Sequence, residues 1–519
     1  MTRNTAQRRN PLLELEGLGI AASADAPLSI VGLPPTARAL VLLDMARVSG
    51  APMVIVTRAD AEAESLVRDM AGLARLTGAL EPDAIGVFPA LDADPYDGLA
   101  AHLGAVCARV RWLWRLMSGE ARVTVIPARA LLTPLPPAAL LRPLFVEACE
   151  GEKFGQADDP AWLLAAGYRR VDLVTEPGEY TRRGGILDIY APILDNPVRI
   201  ELEGDRVVSL RQFNPGDQRS IGRITSAMLS PARETILGPA EKDNLRAALS
   251  GNSGGRKLAE LLETQGVFPG IEACARIIYP RSTGLLDFIA ECTPARMHRP
   301  LIACDEIEMT MEELRQHRAE LLRAADAAGG ESCGLPMPER LFVPAAEVEA
   351  ILRGAPLQLR HLDIQDVEAP DATEGRGVRR FHASSMPSYR GRLSELMEFL
   401  RAEVLAGRKV GILMKSDGRS HRMKSLLADN ELTALELSAE SAPGDDSGGG
   451  GLYLATAEIG GGFSLPEAGL TLIAEQEIFG EEIRHRKKSA LPAFTSDFRD
   501  LNPGDLVVHV DHGVGRYEG

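Results

Sequence analysis

Pro52-Met-Val-Ile-Val-Thr57 is followed two residues later by Asp60-Ala-Glu-Ala-Glu-Ser-Leu-Val-Arg-Asp-Met-Ala-Gly-Leu-Ala-Arg-Leu76. The first run is short, apolar and rich in β-branched residues, the pattern of a buried strand. The second begins on an Asp able to cap a helix and then places Leu66, Met70, Leu73 and Leu76 at helical spacing. The unit repeats outward in both directions. Upstream, Pro27-Leu-Ser-Ile-Val-Gly32 reads as a strand; downstream come Ile85-Gly-Val-Phe88, a helical run from Ala100 to Met117, and the strand Arg122-Val-Thr-Val-Ile126. Strands alternating with helices predict an α/β domain over 1–150 built on a mostly parallel sheet.

The character changes after residue 150. A helix over Pro160–Ala166 ends at Gly167, and strand-like pieces then follow closely at 168–174, 185–190, 197–203 and 207–213, the last two joined by a Gly204-Asp205 turn. This predicts an α+β module with antiparallel pairing over 151–235. Residues 236–350 return to charged helices around one apolar strand, Leu301-Ile-Ala-Cys304, and are read as the first domain resumed. Residues 351–478 repeat the α/β pattern, with a helix from Arg392 to Leu405, the strand Lys409-Val-Gly-Ile-Leu-Met414 and a Gly-rich loop at 441–451. The basic run Arg484-His-Arg-Lys-Lys488 reads as a linker over 479–498. A β-rich pattern opens near residue 499, and 21 residues are too few to bury a core alone, so a domain is expected to be cut there.

The chain has 519 residues, room for three or four domains, with 45% hydrophobic and 25% charged residues, an ordinary globular balance. Its 57 Lys and Arg against 73 Asp and Glu leave a net charge of −16, which argues against a chain-wide nucleic-acid surface. No stretch approaches the ~18 uncharged apolar residues of a membrane span. None of the 6 cysteines lies in CxxC spacing, which points to buried thiols in a reducing cytoplasm rather than to disulfides or zinc.

Three motifs bear on chemistry. The turn Gly32-Leu-Pro-Pro-Thr-Ala-Arg-Ala39 sits where a phosphate loop belongs, but Ala37 replaces the second Gly, Arg38 the Lys and Ala39 the Ser or Thr, while Pro34 and Pro35 remove two backbone donors. It is read as an ordinary turn that has lost ATP. His509-Val-Asp-His512 invites a metal, but on a strand its two histidines point to opposite faces, so no metal site is assigned. The acidic run Asp305–Glu313 has no nucleophile beside it and reads as a solvated face; no catalytic residue is assigned.

A fourth motif carries a resemblance. Gly178-Glu-Tyr-Thr-Arg-Arg-Gly-Gly-Ile-Leu-Asp-Ile-Tyr-Ala-Pro192, then Pro197-Val-Arg-Ile-Glu-Leu-Glu-Gly-Asp205 and Leu210-Arg-Gln-Phe-Asn-Pro-Gly-Asp-Gln-Arg-Ser220 resemble the module shared by the excinuclease B subunit and the bacterial transcription-repair coupling factors. The broken phosphate loop, Asp94-Pro-Tyr-Asp97 followed by Arg109, and Pro503-Gly-Asp-Leu-Val-Val-His-Val-Asp-His-Gly-Val-Gly-Arg-Tyr517 favour the coupling factors, whose N-terminal half this chain resembles. The resemblance implies docking of the excinuclease A subunit through Arg169, Arg182, Arg183, Ile186 and Tyr190, with Arg183 the first choice for a hot spot. It implies a Tudor-like, CarD-type RNA polymerase-binding domain starting at 499, with Val507, His509, Val514, Arg516 and Tyr517 contributing to the polymerase β-subunit contact. It implies a cytoplasmic monomer. ATP, magnesium and most DNA contact would belong to a translocase motor beyond residue 519, leaving this chain without a cofactor or ATPase activity. The alternatives are an ATP-dependent, damage-binding enzyme of the excinuclease B type and a stand-alone CarD-type transcription regulator.

Overall fold

The computed structural model describes residues 20, 26–155, 160–249, 252–293, 298–361, 377–437, 450–480, 506–509 and 513–516. A seven-stranded sheet organises the first domain. Its order is Gly377–Arg380, Leu28–Val31, Leu357–Arg360, Leu301–Asp305, Met53–Thr57, Val123–Pro127, Ile85–Val87, and every pairing is parallel. Met53–Thr57 is buried at all five positions, which is why it reads as a continuous apolar run rather than an alternating one.

Two of these strands correct the domain reading. Leu357–Arg360 and Gly377–Arg380, expected in the second α/β domain, flank Leu28–Val31 in the first sheet. Parallel neighbours come from distant chain positions, so a short apolar run gives no local clue to the sheet that receives it.

The module interrupts this sheet between Val123–Pro127 and Leu301–Asp305. Its entry and exit strands, Val146–Cys149 and Ser226–Leu229, pair antiparallel with each other, so both ends of the insertion leave through one stem. Beyond the stem lies a six-stranded sheet: Ser220–Ile224, Arg206–Phe213, Val198–Glu203, Ile186–Ile189, Glu179–Arg183, Arg169–Arg170, antiparallel except for the last pair. Its inner face, with Tyr180, Leu187, Ile189, Val198 and Ile200, belongs to the same core as Val54, Val56 and Ile126 of the large sheet. The module is therefore packed on the first domain rather than tethered to it.

On the opposite side, the helix Pro35–Ser49 is buried almost all round, as expected of a helix packed on more than one side. Its core also contains Tyr453, Phe463, Leu465 and Leu472 of a second six-stranded sheet, ordered Ser384–Ser385, Phe463–Leu465, Leu470–Ala474, Lys409–Met414, Gly451–Thr456, Leu435–Leu437. Asp69 joins the two domains: it accepts from the Thr36 hydroxyl at 3.0 Å and from the Gly460 N–H at 2.7 Å. Residues 481–519 form a separate unit, in which Leu506–His509 pairs antiparallel with Gly513–Arg516 as a hairpin. No helix among the described residues is long and apolar enough to cross a membrane.

Candidate functional site

The module's sheet resolves the candidate docking residues by face. Directly opposed residues on neighbouring strands share a face. One row runs Thr181, Asp188, Arg199, Arg211, Arg223 across five strands. The next runs Arg183, Ile186, Glu201. Glu179 pairs with Arg169 in the parallel strand and exchanges a backbone hydrogen bond with Tyr190. Arg169, Arg183, Ile186 and Tyr190 thus lie on one outer face. Arg182 lies on the other: its row is Leu187, Ile200 and Leu210, all buried. The Arg182-Arg183 pair, expected to act together, is split by the two-residue period of the strand.

Most of the outer charges are already paired. Arg199 grips Asp188 bidentately, at 2.7 and 2.9 Å, and lies over the Phe213 ring. Arg223 pairs with Glu150 at the stem, and Arg211 approaches Glu201 at 3.9 Å. Arg169 donates to Glu179 at 2.6 Å, and the Tyr190 hydroxyl donates to the Asp195 carbonyl at 2.9 Å. Arg183 is exposed and touches the Asp172 carbonyl, leaving most of its five donors for a partner. Beside it Ile186 is 39% exposed. An exposed Arg next to an exposed Ile, on a face otherwise closed by internal ion pairs, is the residue combination of a small docking surface.

Glu179 supports the loop next to this face. Its carboxylate accepts from the N–H groups of Thr175 and Glu176, each at 2.9 Å, as well as from Arg169. Burial pushes its pKa up, but these donors outweigh burial and hold it below the usual carboxylate value. The stabilisation is therefore fully present above the unfolded pKa of about 4.3 and is lost as pH falls through the lower folded value. The protection factors of the Thr175 and Glu176 amides, relative to the intrinsic exchange rate at each pH, are expected to fall below about pH 4 in the native protein, and in Glu179→Gln to be lower already at pH 7.

The broken phosphate loop is occupied by the chain itself. Gly32 has φ +82°, and a Cβ there would lie 2.1 Å from the Phe381 carbonyl oxygen. The Phe381 N–H donates to the Val31 carbonyl at 3.0 Å. Arg38, at the Lys position, is buried and spent internally on Asp305, Glu306 and the Leu33 carbonyl. Burial raises Asp305 to about 6 despite the Arg38 charge. Ala37 and Ala39 are fully buried and carry no hydroxyl. Asp305, expected on a solvated acidic face, is instead enclosed against Arg38.

Arg109, singled out as part of a string, proves to be the anchor of the module. It is fully buried, bidentate to Glu234 at 2.8 and 2.9 Å, bonded to the Pro89 carbonyl and stacked 4.2 Å over Phe88. Its partner is 125 residues away, so no local pattern announces the pair. Val507, His509, Val514 and Arg516 fall on the two hairpin strands. Tyr517, His512, the 484–488 basic run and the 441–449 loop lie outside the described residues. No group of three or more metal-ligating side chains occurs among the described residues.

With this geometry in hand, the relatives can be placed. Residues 146–234 match the family described as UvrB interaction domain, whose limits coincide with the stem and the buried Glu234. Residues 501–519 match the family described as CarD-like/TRCF RID domain. Over 516 residues the chain is 26% identical to the transcription-repair-coupling factor of Bacillus subtilis, covering 94% of this chain and 42% of that protein. It is 28% identical to the factor of Myxococcus xanthus over 94% of this chain and 42% of the relative, and 27% identical to that of Mycobacterium bovis over 93% and 40%. This chain is a relative of the transcription-repair coupling factors. It matches their N-terminal half and spans about two-fifths of their length. Coupling-factor similarity covers the degenerate loop, the inserted module and the second α/β domain in one continuous match.

Proposed function

We propose that this chain is the recruiting part of a cytoplasmic transcription-coupled repair factor. Its inserted module docks the excinuclease A subunit of nucleotide-excision repair, and its C-terminal hairpin belongs to a domain that contacts RNA polymerase. The observation that carries the reading is the match of residues 146–234 to the UvrB interaction domain family, on a sheet whose outer face leaves Arg183 and Ile186 available. DNA translocation and polymerase displacement are assigned to the remainder of the whole factor, and the recruiting part acts as a monomer. Mixed at micromolar concentrations, the 519-residue chain and purified excinuclease A subunit are expected to co-elute from a size-exclusion column. Separate elution would overturn the reading.

We further propose that the first domain of this chain uses no nucleotide. The Phe381 carbonyl beside Gly32 and the spent Arg38 leave neither space nor charge for a triphosphate. Equilibrium dialysis with millimolar Mg-ATP is expected to give no binding above background, and turnover no different from buffer. Micromolar binding that disappears in Arg38→Ala would contradict this.

A further inference from the structure

A two-lobed cleft is lined by none of the candidate docking residues of the outer sheet face. Its walls are the loop following Ile85–Val87, the helix Ile307–Ala327 and the segment around Phe342. The lobes share Leu321 and Phe342 as a common wall. One lobe, about 240 Å³, holds Asp92, Asp94, Asp97, Glu272 and Glu320. The other, about 220 Å³, is mostly apolar, with Leu132, Pro338, Val343 and Ala346, and carries Arg318 and Glu339 among its lining. At the lip, between the lining residues Asp97 and Ala101, Leu99 is 65% exposed.

The acidic lobe keeps a negative balance, its carboxylates outnumbering its basic side chains. Of its two basic side chains, Arg129 is engaged by Asp60 at 2.5 Å. His317 has its pKa lowered from 6.5, first by burial and then by Arg129, so it is neutral at pH 7. Glu272 lines the lobe half-buried, and the nearby Arg233 and Arg109 charges offset part of its own. Burial raises the pKa values of Glu272 and of Asp94, which is the environment a cation entering the lobe would relieve. Phosphate is excluded by the same charges. The Asp94-Pro-Tyr-Asp97 string builds this lobe: Asp94 accepts from the Tyr96 N–H at 2.8 Å, and the Tyr96 hydroxyl donates to the Pro336 carbonyl at 2.6 Å.

We propose that this cleft is a second docking site, taking a peptide segment of a partner protein that places a Lys or Arg side chain in the acidic lobe and an aliphatic side chain, a few residues away, in the apolar lobe. The site is independent of the excinuclease-docking face and survives the failure of that reading. Charge complementarity selects the basic residue, and the shared wall at Leu321 and Phe342 sets the short spacing between the two side chains.

Selection of a random heptapeptide display library on the intact chain tests this directly. The expected result is a consensus pairing an aliphatic residue with Lys or Arg, whose synthetic peptide binds at least tenfold more weakly to Glu320→Lys and to Ala346→Arg. Both positions are exposed, so both variants are expected to keep the wild-type melting temperature. Raising sodium chloride from 0.1 to 1 M is expected to weaken binding as well, through screening. Absence of any consensus, an acidic consensus, or a peptide that binds both variants like the wild type would overturn the proposal.

Discussion

Arg109→Ala is expected to destabilise the chain by about 3–5 kcal/mol, the cost of leaving a buried carboxylate without its partner. Three consequences coincide at this position. Glu234 loses both of its hydrogen bonds from the guanidinium, the Pro89 carbonyl loses its donor, and the space over Phe88 opens. Both Arg109 and Glu234 are enclosed, so the variant leaves a buried carboxylate without its counter-charge. The pair also joins the helix Leu103–Ser118 to the exit of the inserted module, so loss of stability should be accompanied by loosening of the module. A fall in the urea midpoint together with faster amide exchange across the stem strands Val146–Cys149 and Ser226–Leu229 would establish this. The double variant Arg109→Met with Glu234→Leu removes both charges together and is expected to recover most of the loss. Recovery no better than in the single variant would mean that the guanidinium acts mainly through packing on Phe88.

Ile186→Asp is expected to weaken binding of the excinuclease A subunit by at least thirtyfold, about 2 kcal/mol, while leaving the fold intact. Ile186 is 39% exposed and sits on the outer face, opposite the buried Leu187, so a carboxylate there meets water in the free protein and desolvation only in the complex. Arg182→Ala is the contrasting variant. Its row faces the core with Leu187 and Ile200, so its effect should fall on stability rather than on affinity. Calorimetric titration beside thermal melts separates the two. Equal affinity losses at positions 182 and 186 would show that the partner reads the rim of the sheet rather than its outer face.

How much of this could be read in the chain depends on how local each interaction is. Met53–Thr57 and Lys409–Met414 are legible because central strands of a parallel sheet must be apolar on both faces. The strand Glu179–Arg183 is not legible as one, because Glu-Tyr-Thr-Arg-Arg is held extended by its pairing with Arg169–Arg170 and Ile186–Ile189. The hairpin turn at Gly204 was legible, since Gly takes φ +64° there without strain. The placement of Leu357–Arg360 in the first sheet was not, because its neighbours Leu28–Val31 and Leu301–Asp305 are far away in the chain. The candidate site divides in the same way. The missing Lys and hydroxyl at Arg38 and Ala39 are plain in the sequence, whereas the Phe381 carbonyl that closes the turn arrives from almost 350 residues away. Arg183 and Ile186 were legible through a family resemblance; their separation from Arg182 needed the register of the sheet.

The central claim is that the outer face of the inserted sheet recruits the excinuclease A subunit, with Arg183 at its centre. Calorimetric titration of the subunit into the wild-type chain and into Arg183→Ala tests it most directly. The account predicts saturable binding by the wild type and at least a thirtyfold loss in the variant, with unchanged melting temperature. Wild-type binding that the variant retains in full, or no binding by either protein, would contradict it.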